Sequence, residues 1–116
     1  MSEDSKNVVA VFPSEEMGAG DPKLGKTLAK NFIYALAQQE NPPQVMLFYN
    51  SGARLTCEGS PALEDLKGLA DRGVEIFTCG TCLDFYELTD KLAVGERGNM
   101  QGIARYMVEA DHVVQP

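Results

Sequence analysis

Tryptophan is absent from this chain, histidine occurs once, and cysteine occurs only three times in 116 residues. Each shortage excludes something. Three cysteines are too few for a disulfide framework, so they read as reduced thiols, functional or buried. Basic residues number 10 against 17 acidic ones, a formal net charge of −7. Such a chain repels phosphate backbones and anionic lipid, so neither nucleic acid nor a membrane surface is an expected partner. No apolar run approaches the roughly 18–20 residues needed to cross a bilayer. Residues 1–7 lack the basic-then-apolar order of a secretory leader and read as a short solvated tail, which points to the cytoplasm. Internal repeats, linkers and low-complexity tracts are also missing.

What is present is the makings of one globular domain, residues 8–116. The hydrophobic content is 44%, and a domain of this size buries roughly two thirds of its unfolded surface. Val8–Phe12 and Val45–Tyr49 are continuous apolar runs, the pattern of strands buried on both faces, and Val74-Glu75-Ile76-Phe77 reads as a third buried strand. Between the first two, Leu24, Leu28, Phe32 and Leu36 recur every four residues, with Ala29, Ile33 and Ala35 beside them, giving an amphipathic helix that stops before Pro42-Pro43. Ser60-Pro61 reads as a cap and first turn of a second helix, with Leu63, Leu66 and Ala70 facing the core and Gly73 closing it. A short helix is expected near Leu83–Thr89, and a fourth strand or extended segment at Leu92–Val94. Asn99 caps a last helix with Met100, Ile103, Ala104, Met107 and Val108 on one face. Val113-Val114 ends the chain as a strand. Strands alternating with helices predict a three-layer α/β/α fold with a five-stranded, mainly parallel sheet.

That topology places chemistry. Loops leaving parallel strands share the carboxyl edge, where open α/β sheets carry their sites. Cys79-Gly80-Thr81-Cys82 leaves the third strand there, and a thiol at a helix start is favoured as thiolate. Cys57, in the loop after the second strand, shares the edge. So does the glycine-rich loop with Gly18 and Gly20. His112 precedes the last strand and falls at the opposite edge, away from the thiols.

Several chemistries use such a C-x-x-C turn. A thioredoxin-like dithiol site would follow the first strand of its βαβ unit, usually beside a tryptophan, which this chain lacks. Zinc would need about four ligands, and the candidates are Cys57, Cys79 and Cys82 alone. Buried, inert thiols are the plainest alternative. Gly20-Asp21-Pro22-Lys23-Leu24-Gly25-Lys26-Thr27 fits the phosphate-loop pattern by spelling. It starts seven residues after the strand, carries acidic neighbours, and loses a backbone donor at Pro22. Asn50, Ser51 and Arg54 stand at the thiol edge, where hydroxyl and guanidinium groups favour an anionic sulfur. The pocket expected around the thiols is lined by Gly18, Gly20, Asn50, Ser51, Arg54 and Thr81.

Taken together these segments resemble a known family. Met17-Gly18-Ala19-Gly20-Asp21, Phe48-Tyr49-Asn50-Ser51-Gly52, Leu55-Thr56-Cys57-Glu58-Gly59-Ser60 and Cys79-Gly80-Thr81-Cys82-Leu83-Asp84-Phe85-Tyr86 carry the likeness. Lys91–Gly95, Asn99-Met100 and Ala110–Val114 extend it. They resemble the DsrE-like family of sulfur-relay proteins, and most nearly the sulfurtransferase-like C-terminal domain of the YedF selenium-metabolism proteins. The resemblance implies a persulfide on the thiol after the third strand, which is Cys79 here; beside it, Cys82 is expected to resolve or tune that persulfide and Cys57 to assist. It implies a homo-oligomer, a trimer or hexamer, and exchange with a TusA-like sulfur carrier. No cofactor or metal is implied. The alternatives are a DsrE-fold module that binds a ligand or partner without chemistry, and a thiol-redox or metal-binding regulator.

Overall fold

A computed structural model describes residues 7–116. The expected tail, residues 1–7, lies outside the described residues except for Asn7. That residue donates its N–H to Asp111 Oδ2 at 2.7 Å, and its carbonyl accepts from Asp111 N and His112 N.

Five strands form the sheet: β1 Val8–Phe12, β2 Val45–Phe48, β3 Glu75–Cys79, β4 Glu96–Gly98 and β5 His112–Val114. They lie in the order β4-β3-β2-β1-β5, and every neighbouring pair is parallel. The helices are α1 Pro22–Ala37, α2 Leu63–Asp71, α3 Gly80–Phe85 and α4 Met100–Glu109. The three-layer α/β/α architecture read from the sequence is the observed one. On one face, Ile33, Phe32 and Leu36 of α1 and Leu66 and Leu69 of α2 pack on Ala10, Phe12, Met46, Phe48 and Ile76. On the other, Ile103, Tyr106 and Met107 of α4 cover Val9, Val11, Val45 and Leu47. Alternate residues of β1 and β2 therefore feed two separate cores, as the period-two pleat requires.

Local chemistry sets the element ends. Asp21 caps α1 through Oδ1, which accepts from Leu24 N at 2.9 Å, and Pro22 opens the helix. Asn99 caps α4 in the same way on Gly102 N at 2.8 Å. Gly73, at φ +97, follows α2 in the left-handed conformation that closes helices.

Four expectations need correction. The fourth strand is Glu96–Gly98, not Leu92–Val94. The latter runs extended across the Cys57 segment, with a Cys57–Leu92 antiparallel bridge and Ala93 N–H bonded to the Thr56 carbonyl at 2.9 Å. Ser60 does not cap α2: its Oγ accepts from Ala62 N at 3.1 Å in a preceding turn, and the helix starts at Leu63. The buried stripe of α1 is Gly25, Ala29 and Ile33, while Leu24 and Leu28 of the expected row are exposed. On α4, Ile103 is buried whereas Met100 and Val108 face out. A four-residue repeat drifts around a helix of 3.6 residues per turn, so its first members leave the core face.

Candidate functional site

The two-cysteine turn is tighter than expected. Cys79 is the last residue of β3 and stands just before α3, which begins at Gly80 rather than at Leu83. Cys82 therefore lies in the helix, one turn from Cys79, and the two side chains are within hydrogen-bond reach. Their surroundings differ. Cys79 is 2% exposed and packs with Val9, Val11, Val45, Leu47 and Ile103. Cys82 is half-buried and touches both that core and a smaller cluster of Ala53, Cys57 and Leu83.

Cys82 opens onto a depression of about 460 Å³, lined by Tyr49, Asn50, Thr81, Cys82, Phe85, Tyr86 and Met100. β2 ends into a 3-10 turn over Asn50–Thr56, whose first residue adopts φ +53. That left-handed conformation aims the Asn50 backbone N–H at Cys82 Sγ, 3.0 Å away. Tyr86 holds it there, its hydroxyl donating to Asn50 Oδ1 at 2.9 Å. Arg54 lies over the Tyr86 ring, 4.6 Å from its centroid, and meets Glu15 at 3.5 Å. Burial pushes the Cys82 thiol up from its ordinary value, the Asn50 N–H pulls it down, and the neighbouring Cys79 pushes it up again; the net direction is up.

A second support lies under the turn. The Arg97 guanidinium from β4 packs against the backbone of Gly80, so that a Cβ at residue 80 would collide with it. Two parallel hydrogen bonds join Arg97 to Asp84, at 3.0 and 2.8 Å, and Thr89 Oγ1 donates to Asp84 Oδ1 at 2.6 Å. Arg97 and Thr89 hold the Asp84 carboxyl down at about 2. This clamp ties α3 to the edge strand beside Cys79. Asp84 and Arg97 are thirteen residues apart, and no sequence pattern links them. Tyr86 escaped too, because it reads as a packing residue.

The remaining predicted site residues scatter. Ser51 Oγ accepts from Glu15 N at 3.1 Å and lies 3.4 Å from Ser14 Oγ, so it pins the loop after β1 rather than facing sulfur. Arg54 is engaged with Glu15 and Tyr86. Gly18 and Gly20, at φ +84 and +156, are exposed loop positions that line neither this depression nor the one beside Cys57. Asn50 and Thr81 are in place. Cys57 is buried, its thiol donating to the Ala53 carbonyl at 3.2 Å. Among the described residues, no group of three cysteine, histidine, aspartate or glutamate side chains is placed to share a metal ion, so the cysteines do not converge as ligands. The phosphate-loop spelling also fails: Gly25, Lys26 and Thr27 lie within α1, and Asp21 occupies the helix start. His112 pairs with Val8 at the amino end of β1, the edge opposite the thiols, as expected. The site lies at the carboxyl edge but at β3, two strands from the β1/β5 junction where strand order reverses.

Burial also raises the Cys57 thiol above its ordinary value, with Glu58 adding to the effect and Thr56 opposing it. A raised thiol binds its proton more tightly in the folded state. Its stabilising share is complete below the unfolded thiol's pKa and is lost as pH rises through the folded one. The thermal midpoint is therefore expected to fall from pH 8 to pH 10. Cys57→Ala should flatten that fall, whatever it does to the midpoint at pH 7. A slope identical to wild type would refute the assignment.

No helix among the described residues is long and apolar enough to cross a membrane. No curated protein matches the sequence. Several solved structures share the fold, three of them as follows. The YchN protein from E. coli superposes with a TM-score of 0.73 at 18% identity, over 96% of this chain and 99% of that one. MTH1491 from Methanobacterium thermoautotrophicum, a protein of unknown function, gives 0.70 at 19%, over 97% and 100%. BT1422 from Bacteroides thetaiotaomicron, also of unknown function, gives 0.64 at 7%, over the whole of both chains. The DsrE/DsrF-like family matches residues 25–116, a stretch that holds four of the five strands and all three cysteines, so the chain belongs to the DsrE/DsrF-like family.

Proposed function

We propose that this protein carries sulfur, or selenium in its place, on the Cys79–Cys82 turn and works in the cytoplasm. The supporting observation is a pair of thiols one helical turn apart at the carboxyl end of β3, one of them open to a depression. Membership in a family whose fold serves sulfur relay supports it further. One thiolate attacks the outer sulfur of a donor persulfide, R–S–SH. The donor S–S bond breaks, RS⁻ leaves and takes a proton from solvent, and the protein holds Cys–S–SH. Attack by an acceptor thiolate on that outer sulfur passes it on, with no external oxidant or reductant. Attack by the second cysteine on the inner sulfur instead expels hydrosulfide and leaves a Cys79–Cys82 disulfide, which two equivalents of a small thiol reduce.

In this reading the partners are other copies of the chain, in a trimer or hexamer, and a small TusA-like carrier. Exposed Leu24 and Leu28 on α1, and Phe85 and Met100 beside the thiols, supply apolar surface for such contacts. The YedF likeness brings selenium into the substrate class.

Intact mass after brief exposure to a sulfane donor tests the proposal. Wild type is expected to gain one sulfur atom that cyanide removes. Cys57→Ser should keep the gain, and the Cys79→Ser/Cys82→Ser double variant should lose it. Fully reduced wild type that gains nothing would leave a DsrE-fold binding module as the better reading. The raised Cys57 and Cys82 thiols favour that alternative, because both resist ionisation.

A further inference from the structure

We infer that Cys82, not Cys79, is the thiol that first takes sulfur, and that the Asn50 backbone N–H is the donor that steadies its anion. The assignment rests on the carrier reading and goes beyond it by ordering the two thiols. A donor persulfide must bring its outer sulfur into line with the attacking thiolate and the departing one, so the first thiol has to be reachable. Cys79 is 2% exposed, beneath side chains of β1, β2 and α4. Cys82 lines the open depression. A donor sulfur entering between Tyr49, Phe85 and Met100 meets Cys82 and finds Cys79 behind it.

The second observation is the donor. At 3.0 Å, the Asn50 N–H is close for a contact to an atom as large as sulfur, and hydrogen bonds shorten when the acceptor carries charge. Asn50 reaches this position only in the left-handed region, at φ +53. Outside glycine that conformation is uncommon and strained, and it persists where surrounding contacts impose it. Here the Tyr86 hydroxyl fixes the Asn50 side chain and Arg54 covers the tyrosine ring. Glu15 in turn meets Arg54, and its N–H donates to Ser51 of the same 3-10 turn. Four residues thus hold one backbone N–H against one sulfur. Cys79 has no comparable donor among the hydrogen bonds of the described residues.

The order of events follows. The Cys82 thiolate attacks the outer sulfur of R–S–SH, a new S–S bond forms, and RS⁻ leaves to be protonated by solvent. The sulfur now rests as Cys82–S–SH at the mouth of the depression, where an acceptor thiolate can collect it. Cys79, within hydrogen-bond reach of Cys82 Sγ, is placed to attack that inner sulfur, forming the Cys79–Cys82 disulfide and releasing hydrosulfide. Cys79 therefore sets how long the persulfide lasts.

A limiting pulse of iodoacetamide on native, reduced wild type, read by peptide fragmentation, tests the order. Cys82 is expected to label about tenfold or more ahead of Cys79. With a sulfane donor, Cys82→Ser should lower the initial rate of sulfur uptake about a hundredfold, while Cys79→Ser should lengthen the persulfide's lifetime. Tyr86→Phe, which frees the Asn50 side chain, should slow uptake about tenfold; an unchanged rate would overturn the role given to Asn50. Labelling first at Cys79, or uptake that survives Cys82→Ser and is lost in Cys79→Ser, would overturn the order. Wild type that takes no sulfur overturns the carrier reading and the order with it, a result distinct from either of those.

Discussion

Gly52→Ala is expected to cost about 3 kcal/mol or more of stability, as an overpacked site that cannot relax. Gly52 is the third residue of the 3-10 turn that follows β2, and it is buried. A Cβ there would run into the Phe12 carbonyl oxygen and come within 3.3 Å of Ser14 N. The obstacle is backbone, and it is fixed on its other side: the same Phe12 carbonyl accepts from Tyr49 N at 3.1 Å, at the end of the β1–β2 pairing. Relief can come only by lifting the turn. Gly52 N is in turn bonded to the Tyr49 carbonyl at 3.0 Å, so lifting the turn also moves Asn50 away from Cys82. The variant should show a lower denaturant midpoint with an unchanged slope, and slowed sulfur uptake under conditions where it is still folded. Gly68→Ala is the control. It lies mid-way along α2 with nothing within 4 Å of the added carbon, and it is expected to be neutral or stabilising by up to about 1 kcal/mol. A Gly52→Ala midpoint within experimental error of wild type would mean that the turn is free to shift.

What the sequence revealed and what it hid divide along a physical line. Val8–Phe12 and Val45–Phe48 were legible because strands buried on both faces need unbroken apolar runs, and Val74, Ile76 and Phe77 marked most of β3. Asn99 and Gly73 were legible as helix ends, because capping depends on one side chain or one backbone angle. β4 was not. Glu96-Arg97-Gly98 is a short, polar edge strand, held by pairing with Phe77, Thr78 and Cys79, and nothing local marks it. The apolar Leu92–Val94 drew the strand assignment because its burial against the Cys57 segment gives the same signature. At the site, the thiol pair was legible from spacing alone. Its environment was not. Whether a cysteine after β3 faces the core or the solvent depends on whether α3 starts at Gly80 or at Leu83, a shift that places Cys82 inside the helix. The Asn50–Tyr86 bond and the Asp84–Arg97 pair join residues 36 and 13 positions apart, and only the folded chain brings them together.

Two phenylalanines give the second large contrast. Phe48→Ala is expected to cost about 3–5 kcal/mol, the range for removing a buried aromatic ring. Phe48 is fully buried on β2 and stacks on Phe12 with centroids 4.7 Å apart and ring planes 9° apart. Its neighbours across the core are Leu66 and Leu69 of α2 and Ile33 of α1, so the gap would open between sheet and both helices. For a domain stabilised by about 5–15 kcal/mol, that is a large share. Phe85 is 78% exposed. Removing it takes away little buried area, and Phe85→Ala should stay within about 0.5 kcal/mol of wild type. Yet Phe85 lines the depression at Cys82, whereas Phe48 ends β2 one residue before Tyr49 and does not line it. The two variants should therefore separate stability from access. Phe48→Ala lowers the denaturant midpoint and leaves the native-state labelling rate of Cys82 unchanged. Phe85→Ala keeps the midpoint and changes the rate at which a bulky alkylating agent reaches Cys82 in the native state. Equal midpoints for the two variants would refute the core assignment. A bulky reagent that labels wild type and Phe85→Ala at the same rate would show that the donor's path to Cys82 runs past the other residues lining the depression.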